Sequence, residues 1–399
     1  MRGTGNIGYL VVALALVVMS CKKPYAPPVI ATSPSHLVVE GVINSGQDST
    51  IIHITHTIPL SSPAGTAPAP EYSATVMVES DANTTYPLAN AGNGYYVSAG
   101  LNLNASNKYH LKIITSDNQT YTSDFLPVKN SPPIDSVYYR IQAGTPGVQI
   151  YVDSHDPQNN TTYYRWDFIE TYVITSLYTT ESILVTTPSY FIRDRTPDEQ
   201  VFKCWLTDYS SSISLSSSAS LTKDVITKAP VTFVPSTSEK LYSRYSILVR
   251  QYALTKEAYS YWQQLKKNTE QLGSIFDAQP SEIPGNIHNV NNSSEPVLGY
   301  ISIGSYSTKR IFIDNFYLPA WGTPLRPFYD GCTIEPELFD GPNGENQVAI
   351  NIYSGDLLPI NPIVPTGSTV ILGYTASERR CQDCTVRGTN VQPSFWTSR

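Results

Sequence analysis

Cys21 is the residue whose position most clearly indicates a chemical modification. It follows Ser20 and an apolar run at residues 9–19, and Arg2 is the only charged residue before it. A short positive segment, an apolar segment and a small residue before the cut are typical of a secretory signal. The end of the segment resembles a lipobox, where diacylglycerol is attached to a cysteine thiol before cleavage. We therefore predict a lipoprotein signal peptide at residues 1–20 and lipidation of Cys21. The alternative is a plain signal peptide with an accidental cysteine.

The remaining four cysteines could form disulfides or bind zinc. They are Cys204, Cys332, Cys381 and Cys384. An even number of cysteines in an exported chain favours two disulfides, with three possible pairings. We expect Cys332 to pair with Cys381 or Cys384, and the one left over to pair with Cys204. The rival is a four-thiolate zinc site, since Cys381 and Cys384 have zinc-knuckle spacing, but no second Cys-x-x-Cys is present. Oxidising export favours disulfides, so we predict neither a metal nor a cofactor.

The histidines and carboxylates form no recognisable catalytic pattern. His53 and His56 lie three residues apart on a predicted strand, so their side chains face opposite sides. Residues 153–156 offer carboxylates that suit calcium, but they lack the EF-hand pattern, and a hydrogen-bonded turn is the favoured interpretation. Neither a Gly-x-Ser-x-Gly motif nor a phosphate-binding glycine loop occurs. We therefore predict no catalytic residue and no buried cluster of Ser/His/Asp, Cys/His or two carboxylates.

Composition favours an exported β protein. Cleavage before Cys21 removes one of the 26 Lys and Arg residues and none of the 33 Asp and Glu residues, which leaves a net charge of −8. This acidity argues against nucleic acid as a partner, because nucleic-acid binding needs a basic surface. Residues 21–35 contain four prolines and are predicted to form an extended tether. The 28 tyrosines suit β-sheet.

The order of strand and turn signals predicts a mostly β fold with two domains. Residues 36–129 contain about seven short strands separated by turns, such as the segment at residues 51–58, and indicate an immunoglobulin-like β-sandwich. Residues 130–399 are expected to form a second, larger β-rich domain that ends in a cysteine-containing tail. Its last strand is predicted at residues 368–374.

One prominent α-helix is predicted near residues 256–272. Thr255 suits the N-cap, and apolar side chains recur at helical spacing up to Leu272, before Gly273. An aromatic stripe of this kind is typical of core packing. We therefore expect Tyr261 and Trp262 to be buried against the second sheet.

Several segments, taken in order, resemble one family. They are Leu37-Val38-Val39-Glu40-Gly41, Pro132-Pro133-Ile134-Asp135-Ser136-Val137-Tyr138-Tyr139, Tyr163-Tyr164-Arg165-Trp166, Glu257-Ala258-Tyr259-Ser260-Tyr261-Trp262, Gly273-Ser274-Ile275-Phe276-Asp277, Gly285-Asn286-Ile287-His288, Val297-Leu298-Gly299-Tyr300, Cys381-Gln382-Asp383-Cys384 and Pro393-Ser394-Phe395-Trp396. Together they resemble domain of unknown function 4249 of Bacteroidota lipoproteins, over almost the whole mature chain. The family name implies no activity and supplies no catalytic residues. Its members are often associated with TonB-dependent outer-membrane receptors, which implies an accessory role in the envelope.

These observations predict a lipid-anchored outer-membrane protein that is not an enzyme, on either the periplasmic or the cell-surface face. Its expected partners are the membrane, through the lipid anchor, and a TonB-dependent receptor, a peptide or a glycan. The abundant Tyr and Trp could stack on carbohydrate, although β-sheet cores use the same residues. Two alternatives are a cryptic envelope hydrolase whose residues come from distant segments, and a structural or adhesive surface module.

Overall fold

A computed structural model describes residues 35–59, 62–270, 283–322 and 324–397. The predicted signal peptide, the lipidation residue Cys21 and all but the last residue of the predicted tether lie outside the described residues. Within the described ranges, the chain contains no helix of the length and hydrophobicity needed to cross a membrane.

The first part of the chain forms a β-sandwich. Its strands are β1 (Leu37–Asn44), β2 (Thr50–His56), β3 (Ala69–Pro70), β4 (Thr75–Ser80), β5 (Thr85–Gly92), β6 (Tyr95–Ser98), β7 (Lys108–Ile114), β8 (Thr120–Ser123) and β9 (Leu126–Pro127). Alternation sets the inner face: in β7, Tyr109, Leu111 and Ile113 are buried and the residues between them are not. β5 joins the two sheets, because residues 85–88 pair with β4 and residues 89–92 pair with β6.

The rest of the chain contributes fifteen further strands and two α-helices within the described residues. They are β10 (Ile134–Gln142), β11 (Gly147–His155), β12 (Tyr163–Thr175), β13 (Ser182–Val185), β14 (Phe191–Asp194), β15 (Lys203–Tyr209), β16 (Ser214–Ser217), β17 (Val225–Pro235), β18 (Arg244–Ala253), α1 (Lys256–Glu270), β19 (Ile287–Asn289), β20 (Ser302–Gly304), β21 (Tyr306–Asp314), β22 (Glu335–Leu338), β23 (Leu358–Ile363), β24 (Gly373–Ser377) and α2 (Arg379–Gln382).

A second sandwich packs two of these sheets face to face. One sheet has the order β10-β11-β17, and the other has the order β15-β12-β18-β21, with β16 also paired to β12. Side chains from both sheets share one hydrophobic core, in which Ile150 of β11 and Trp166 of β12 are fully buried. The mostly β fold with a first sandwich and a larger β-rich remainder is as predicted.

The first sandwich is completed by a returning segment, residues 283–305. β19 pairs antiparallel with β8, and β20 pairs parallel with β1, so this late segment covers both edges of the first sandwich. The first sandwich therefore includes two strands from outside residues 36–129. The backbone of the returning segment lies very close to β1. Gly299 has φ +121°, and a Cβ there would overlap the carbonyl oxygen of Val39.

Helix α1 lies on the surface at the junction of the two sandwiches. The Thr255 side chain accepts a hydrogen bond from the Ala258 N–H at 3.2 Å, as an N-cap does. Ala258 is buried, but Tyr261 and Trp262 are only half-buried. The Trp262 ring packs on Arg165 of the second sandwich, whereas Tyr261 packs on Tyr300. The expected burial of both rings against the second sheet is wrong for Tyr261 and only partly met by Trp262. Leu272 and Gly273 lie outside the described residues.

The C-terminal part forms a small unit held by disulfides. The hairpin β13-β14 packs against the sheet β22-β24-β23 around a core that includes Val348 and Tyr374. The strand predicted at residues 368–374 is largely wrong, since β24 begins at Gly373 and the apolar residues before it are exposed. Cys204 of β15 is bonded to Cys384, and Cys332 is bonded to Cys381 of α2. The prediction of two disulfides is confirmed.

Candidate functional site

One cleft, which we name the mouth cleft, lies at one end of the second sandwich, where β15 and β17 end beside a 3-10 turn at Glu239–Leu241. It measures about 540 Å³. It is lined by Phe168, Glu170, Thr232, Phe233, Val234, Pro235, Ser238, Lys240 and residues 208–212. Glu170 and Asp208 lie on strands of this cleft, whereas residues 210–212, Ser238 and Lys240 lie on the loop and turn beside them.

The strand register places two carboxylates side by side in this cleft. Glu170 of β12 lies directly opposite Asp208 of β15, so their side chains leave the same face of the sheet. Like charges in directly opposite positions destabilise a sheet unless a cation lies between them. Lys240 supplies that cation: its Nζ donates to Glu170, and it lies 3.1 Å from Asp208 Oδ2.

Two tyrosines complete the hydrogen bonding of the carboxylates. Tyr245, which is fully buried, donates its hydroxyl to Glu170 Oε1 at 2.5 Å. Tyr172 donates its hydroxyl to Asp208 Oδ2 at 3.1 Å. Tyr172 of β12 and Tyr245 of β18 lie directly opposite each other in the pairing of these two strands. Each carboxylate thus accepts from one phenol and one ammonium.

The environment shifts the pKa values of these donors towards their protonated forms. Burial raises the pKa of Tyr245 well above its ordinary value, and the charge of Glu170 raises it further. Burial and the charge of Asp208 raise the pKa of Tyr172 in the same way. Burial lowers the pKa of Lys240, but its hydrogen bond to Glu170 and the two carboxylate charges outweigh burial, and the pKa is raised. All three groups remain donors at neutral pH.

This network corrects one expectation from the sequence. No buried two-carboxylate cluster was expected, yet Glu170 and Asp208 share Lys240 within hydrogen-bond reach. Asp208 lies 38 residues and Lys240 lies 70 residues after Glu170, so no local motif reveals the cluster. Glu170 is one of three charged residues in β12, with Arg165 and Asp167, so the sequence of the strand does not single it out. Chemically, both carboxylates act here as hydrogen-bond acceptors that Lys240 and the tyrosines hold in place.

An aromatic cleft adjoins the mouth cleft and shares Ser238 with it. It measures about 390 Å³. It is lined by Ser236, Ser238, Leu241, Tyr242, Asn315, Phe316, Leu318, Pro319, Ala320, Trp321, Gly322 and Pro324. Tyr242 is 45% exposed and Phe316 is 76% exposed. Aromatic rings with this much exposure offer flat apolar surfaces next to the charged groups of the mouth cleft.

A third cleft, of about 670 Å³, lies at the junction of the two sandwiches. Helix α1, the end of the first sandwich at Asp124 and Phe125, and the returning segment line it, and Tyr261 and Tyr300 stack there with ring centroids 5.0 Å apart. Segments that carry the family resemblance also contact one another near this cleft, because Trp262 packs on Arg165 and Gly299 lies against the Val39 carbonyl.

The residues singled out from the sequence as possible ligands are used in local contacts. His53 stacks on Tyr95, and His56 bonds to Glu71 at 3.1 Å. The Asp156 carboxylate accepts backbone N–H groups of residues 158, 160 and 161, which is the hydrogen-bonded turn expected there rather than a calcium loop. His155 bonds to Asp135 at 2.8 Å. Within the described ranges, three or more His, Cys, Asp or Glu side chains are nowhere grouped to hold a metal.

Comparison with known proteins gives a family match. The family described as "Domain of unknown function (DUF4249)" matches residues 22–310, so the cysteine tail lies beyond the match. No curated protein matches the chain. Among solved structures, chitinase ChiA74 from Bacillus thuringiensis is 12% identical with a TM-score of 0.12, over 52% of this chain and 29% of the chitinase. The chain spans less than a third of that protein, and the similarity carries no argument.

Proposed function

Because this chain belongs to the family described as "Domain of unknown function (DUF4249)", whose name states no activity, we propose a function from its sequence and clefts. We propose that it is a lipid-anchored, non-enzymatic binding protein of the bacterial cell envelope. Lipidation at Cys21 attaches it to the outer membrane, and the mouth cleft binds its ligand. Association with a TonB-dependent receptor makes it an accessory component of transport.

The hydrogen bonding of the mouth cleft is the observation that supports binding. The side chain of Asp208 is 39% exposed, while Tyr172 and Lys240 fix its orientation from behind. A carboxylate that is held in place and still reaches solvent is suited to accept hydrogen bonds from a ligand. Such preorganisation lowers the entropic cost of binding.

A hydrolase is the second candidate, because Glu170 and Asp208 share a cleft. Glycosidases also use two carboxyl groups, one of which must deliver a proton to the leaving group. In the mouth cleft both carboxylates accept hydrogen bonds from Lys240, and Glu170 is 4% exposed. This arrangement favours holding a ligand over protonating one.

The export proposal is supported by the cysteines. Both disulfides involve partners far apart in sequence, and such bonds form and persist in oxidising compartments outside the cytoplasm. Residues 21–35 then provide a tether between the lipid and β1.

The anchor is tested by labelling cells with a clickable fatty acid. We expect label on the wild-type protein and its loss in Cys21→Ala, which should leave the membrane fraction or accumulate as precursor. Ser20→Ala is the matched control, because it keeps a small residue before the cut and should stay labelled. Equal labelling of wild type and Cys21→Ala would contradict the proposal.

The accessory role is tested by photo-crosslinking in intact cells. A photoreactive residue at position 209, in the mouth cleft, should capture a TonB-dependent receptor that mass spectrometry identifies. The same residue at position 72, which is exposed on the first sandwich, is the control. Failure to capture a receptor at either position contradicts the accessory role, whereas capture at both shows that the contact is not confined to the mouth cleft.

A further inference from the structure

We infer that the mouth cleft and the aromatic cleft together bind a neutral oligosaccharide, an assignment that rests on the binding function proposed above. The two clefts lie side by side and share Ser238 as a lining residue. Each is within the size range of small-molecule sites, about 300–1,000 Å³. Two such clefts in a row suit a chain of sugar rings rather than a single ring.

The polar groups of the mouth cleft match sugar hydroxyls. A hydroxyl both donates and accepts, so it is best met by an acceptor beside a donor. Asp208 and Lys240 lie 3.1 Å apart and are both partly exposed, at 39% and 26% of their side chains. Serines 210–212 add short side chains along the same wall. A ligand with adjacent hydroxyl groups can bond to the carboxylate and the ammonium at once.

The charge of the site argues for a neutral ligand. Its carboxylates, Glu170 and Asp208, outnumber its one ammonium, Lys240. A phosphorylated or sulfated ligand would meet this net negative charge without a free cation to pair with. The single positive charge of Lys240 is already paired with two carboxylates, so the site offers an anion no net electrostatic attraction.

Exposed aromatic residues line both clefts and can supply stacking surfaces. Tyr209 is 72% exposed at the mouth cleft, and Tyr242 and Phe316 are exposed in the aromatic cleft. The C–H face of a pyranose ring is apolar, and it gains contact area against a flat ring. A sugar has both hydroxyl groups and an apolar C–H face. Carboxylates can bind the hydroxyl groups, and neighbouring aromatic rings can pack on the C–H face.

A peptide that adds as a β-strand is disfavoured at this site. Strand β17 forms one wall and is the edge of its sheet, which is where a peptide strand would pair. Pro230 and Pro235 interrupt the row of N–H donors on this strand. The edge therefore cannot offer the regular backbone ladder that strand addition uses.

The test is titration of the purified, non-acylated chain, residues 22–399, with neutral tetrasaccharides of glucose, xylose and mannose in α and β linkages. Binding is followed by calorimetry and tryptophan fluorescence. We expect at least one tetrasaccharide to saturate with a dissociation constant of about 1 mM or tighter. Tyr209→Ala and Tyr242→Ala should each weaken it about tenfold, which corresponds to 1.4 kcal/mol.

The matched control is Tyr72→Ala, the same substitution at a tyrosine that is 59% exposed on the first sandwich, and it should bind as the wild type does. Asp208→Asn tests the polar groups of the mouth cleft. It should weaken tetrasaccharide binding while Tyr209 and Tyr242 are unchanged. The inference is overturned if no tetrasaccharide saturates, or if binding survives both aromatic substitutions. Fatty-acid labelling and receptor crosslinking do not depend on the ligand. They would therefore still support the proposed function if the titration showed that the ligand is not a neutral oligosaccharide.

Discussion

The indole N–H of Trp166 donates a hydrogen bond of 2.9 Å to the side-chain oxygen of Gln251 in the core of the second sandwich. The amide of Gln251 donates in turn to the Pro132 carbonyl and to Ser154 Oγ, each at 3.0 Å. One fully buried amide therefore joins β12, β18 and β11 to the linker between the two sandwiches. Its polar atoms are satisfied, so the core tolerates it.

We predict that Gln251→Leu destabilises the protein by about 1–3 kcal/mol, because it leaves the Trp166 N–H buried without its acceptor and removes the amide's bonds to the Pro132 carbonyl and Ser154 Oγ. Urea unfolding measures the change. Gln263→Leu, at an exposed position of α1, is the control and should shift stability by less than about 0.5 kcal/mol. Equal stability of the two variants would show that the Gln251 network contributes nothing.

Lys240→Met tests whether the mouth-cleft network is a coupled unit. Loss of the ammonium leaves Glu170 and Asp208 opposite each other without a cation, and removal of one partner of a buried pair costs about 3–5 kcal/mol. Since Lys240 is partly exposed, we expect a loss near the lower end of that range. Adding Glu170→Gln should recover part of it, and a double-mutant cycle by urea unfolding measures the coupling. Additive losses would contradict the network.

Stability should fall at alkaline pH because tyrosines bonded to carboxylates are neutral in the folded state. Burial is the main cause of the raised pKa values of Tyr121, Tyr164, Tyr172 and Tyr245, each of which donates to a carboxylate. A raised folded pKa gives stability that is present below the unfolded value of about 10 and is lost as pH rises above it.

We therefore expect the free energy of unfolding to be flat from about pH 7 to pH 9 and to decrease above about pH 10. Absorbance at 295 nm should show Tyr121, Tyr164, Tyr172 and Tyr245 ionising only as the chain unfolds. Ionisation of all tyrosines in a single transition before loss of circular dichroism would be inconsistent with this account.

The two disulfides should contribute unequally to stability. Cys204–Cys384 spans 180 residues and Cys332–Cys381 spans 49. Loop-closure entropy gives about 5 kcal/mol for the first and about 4 kcal/mol for the second. We expect the double serine variant of the long bridge to lose more stability in urea. Non-reducing peptide mapping checks the pairing, and free thiols or one bound zinc per chain would refute it.

Asn286 should stabilise the first sandwich, although it lies far along the chain from strands β1–β9. Its side chain exchanges two hydrogen bonds of 2.9 Å with the backbone of Ile301, and its carbonyl accepts the Asp124 N–H. Asn286→Ala removes both side-chain bonds at a buried site, and we expect a loss of about 2–3 kcal/mol in urea unfolding. Asn291→Ala, at an exposed position nearby, should change stability little.

Local patterns predicted the parts of the fold that local physics controls. Alternation identified strands such as β7, and helical spacing with Thr255 as cap identified α1. The three-residue strands β19 and β20 carry too few residues to show a period, and their partners lie far away in sequence. The mouth cleft was missed for the same reason, since Glu170, Asp208 and Lys240 meet only through strand register and a turn.

The returning segment sets the order in which the molecule can be completed. Val42 of β1 pairs with Ser302 of β20, which the ribosome adds 260 residues later. Chains are made from the N-terminus, and pairings between distant residues slow folding because a long loop must close first. The sandwich that begins the chain is therefore among the last parts to be finished. Until residues 283–305 arrive, the edge strands β1 and β8 each have a row of unpaired backbone groups, which leaves the incomplete sandwich open to binding by a chaperone.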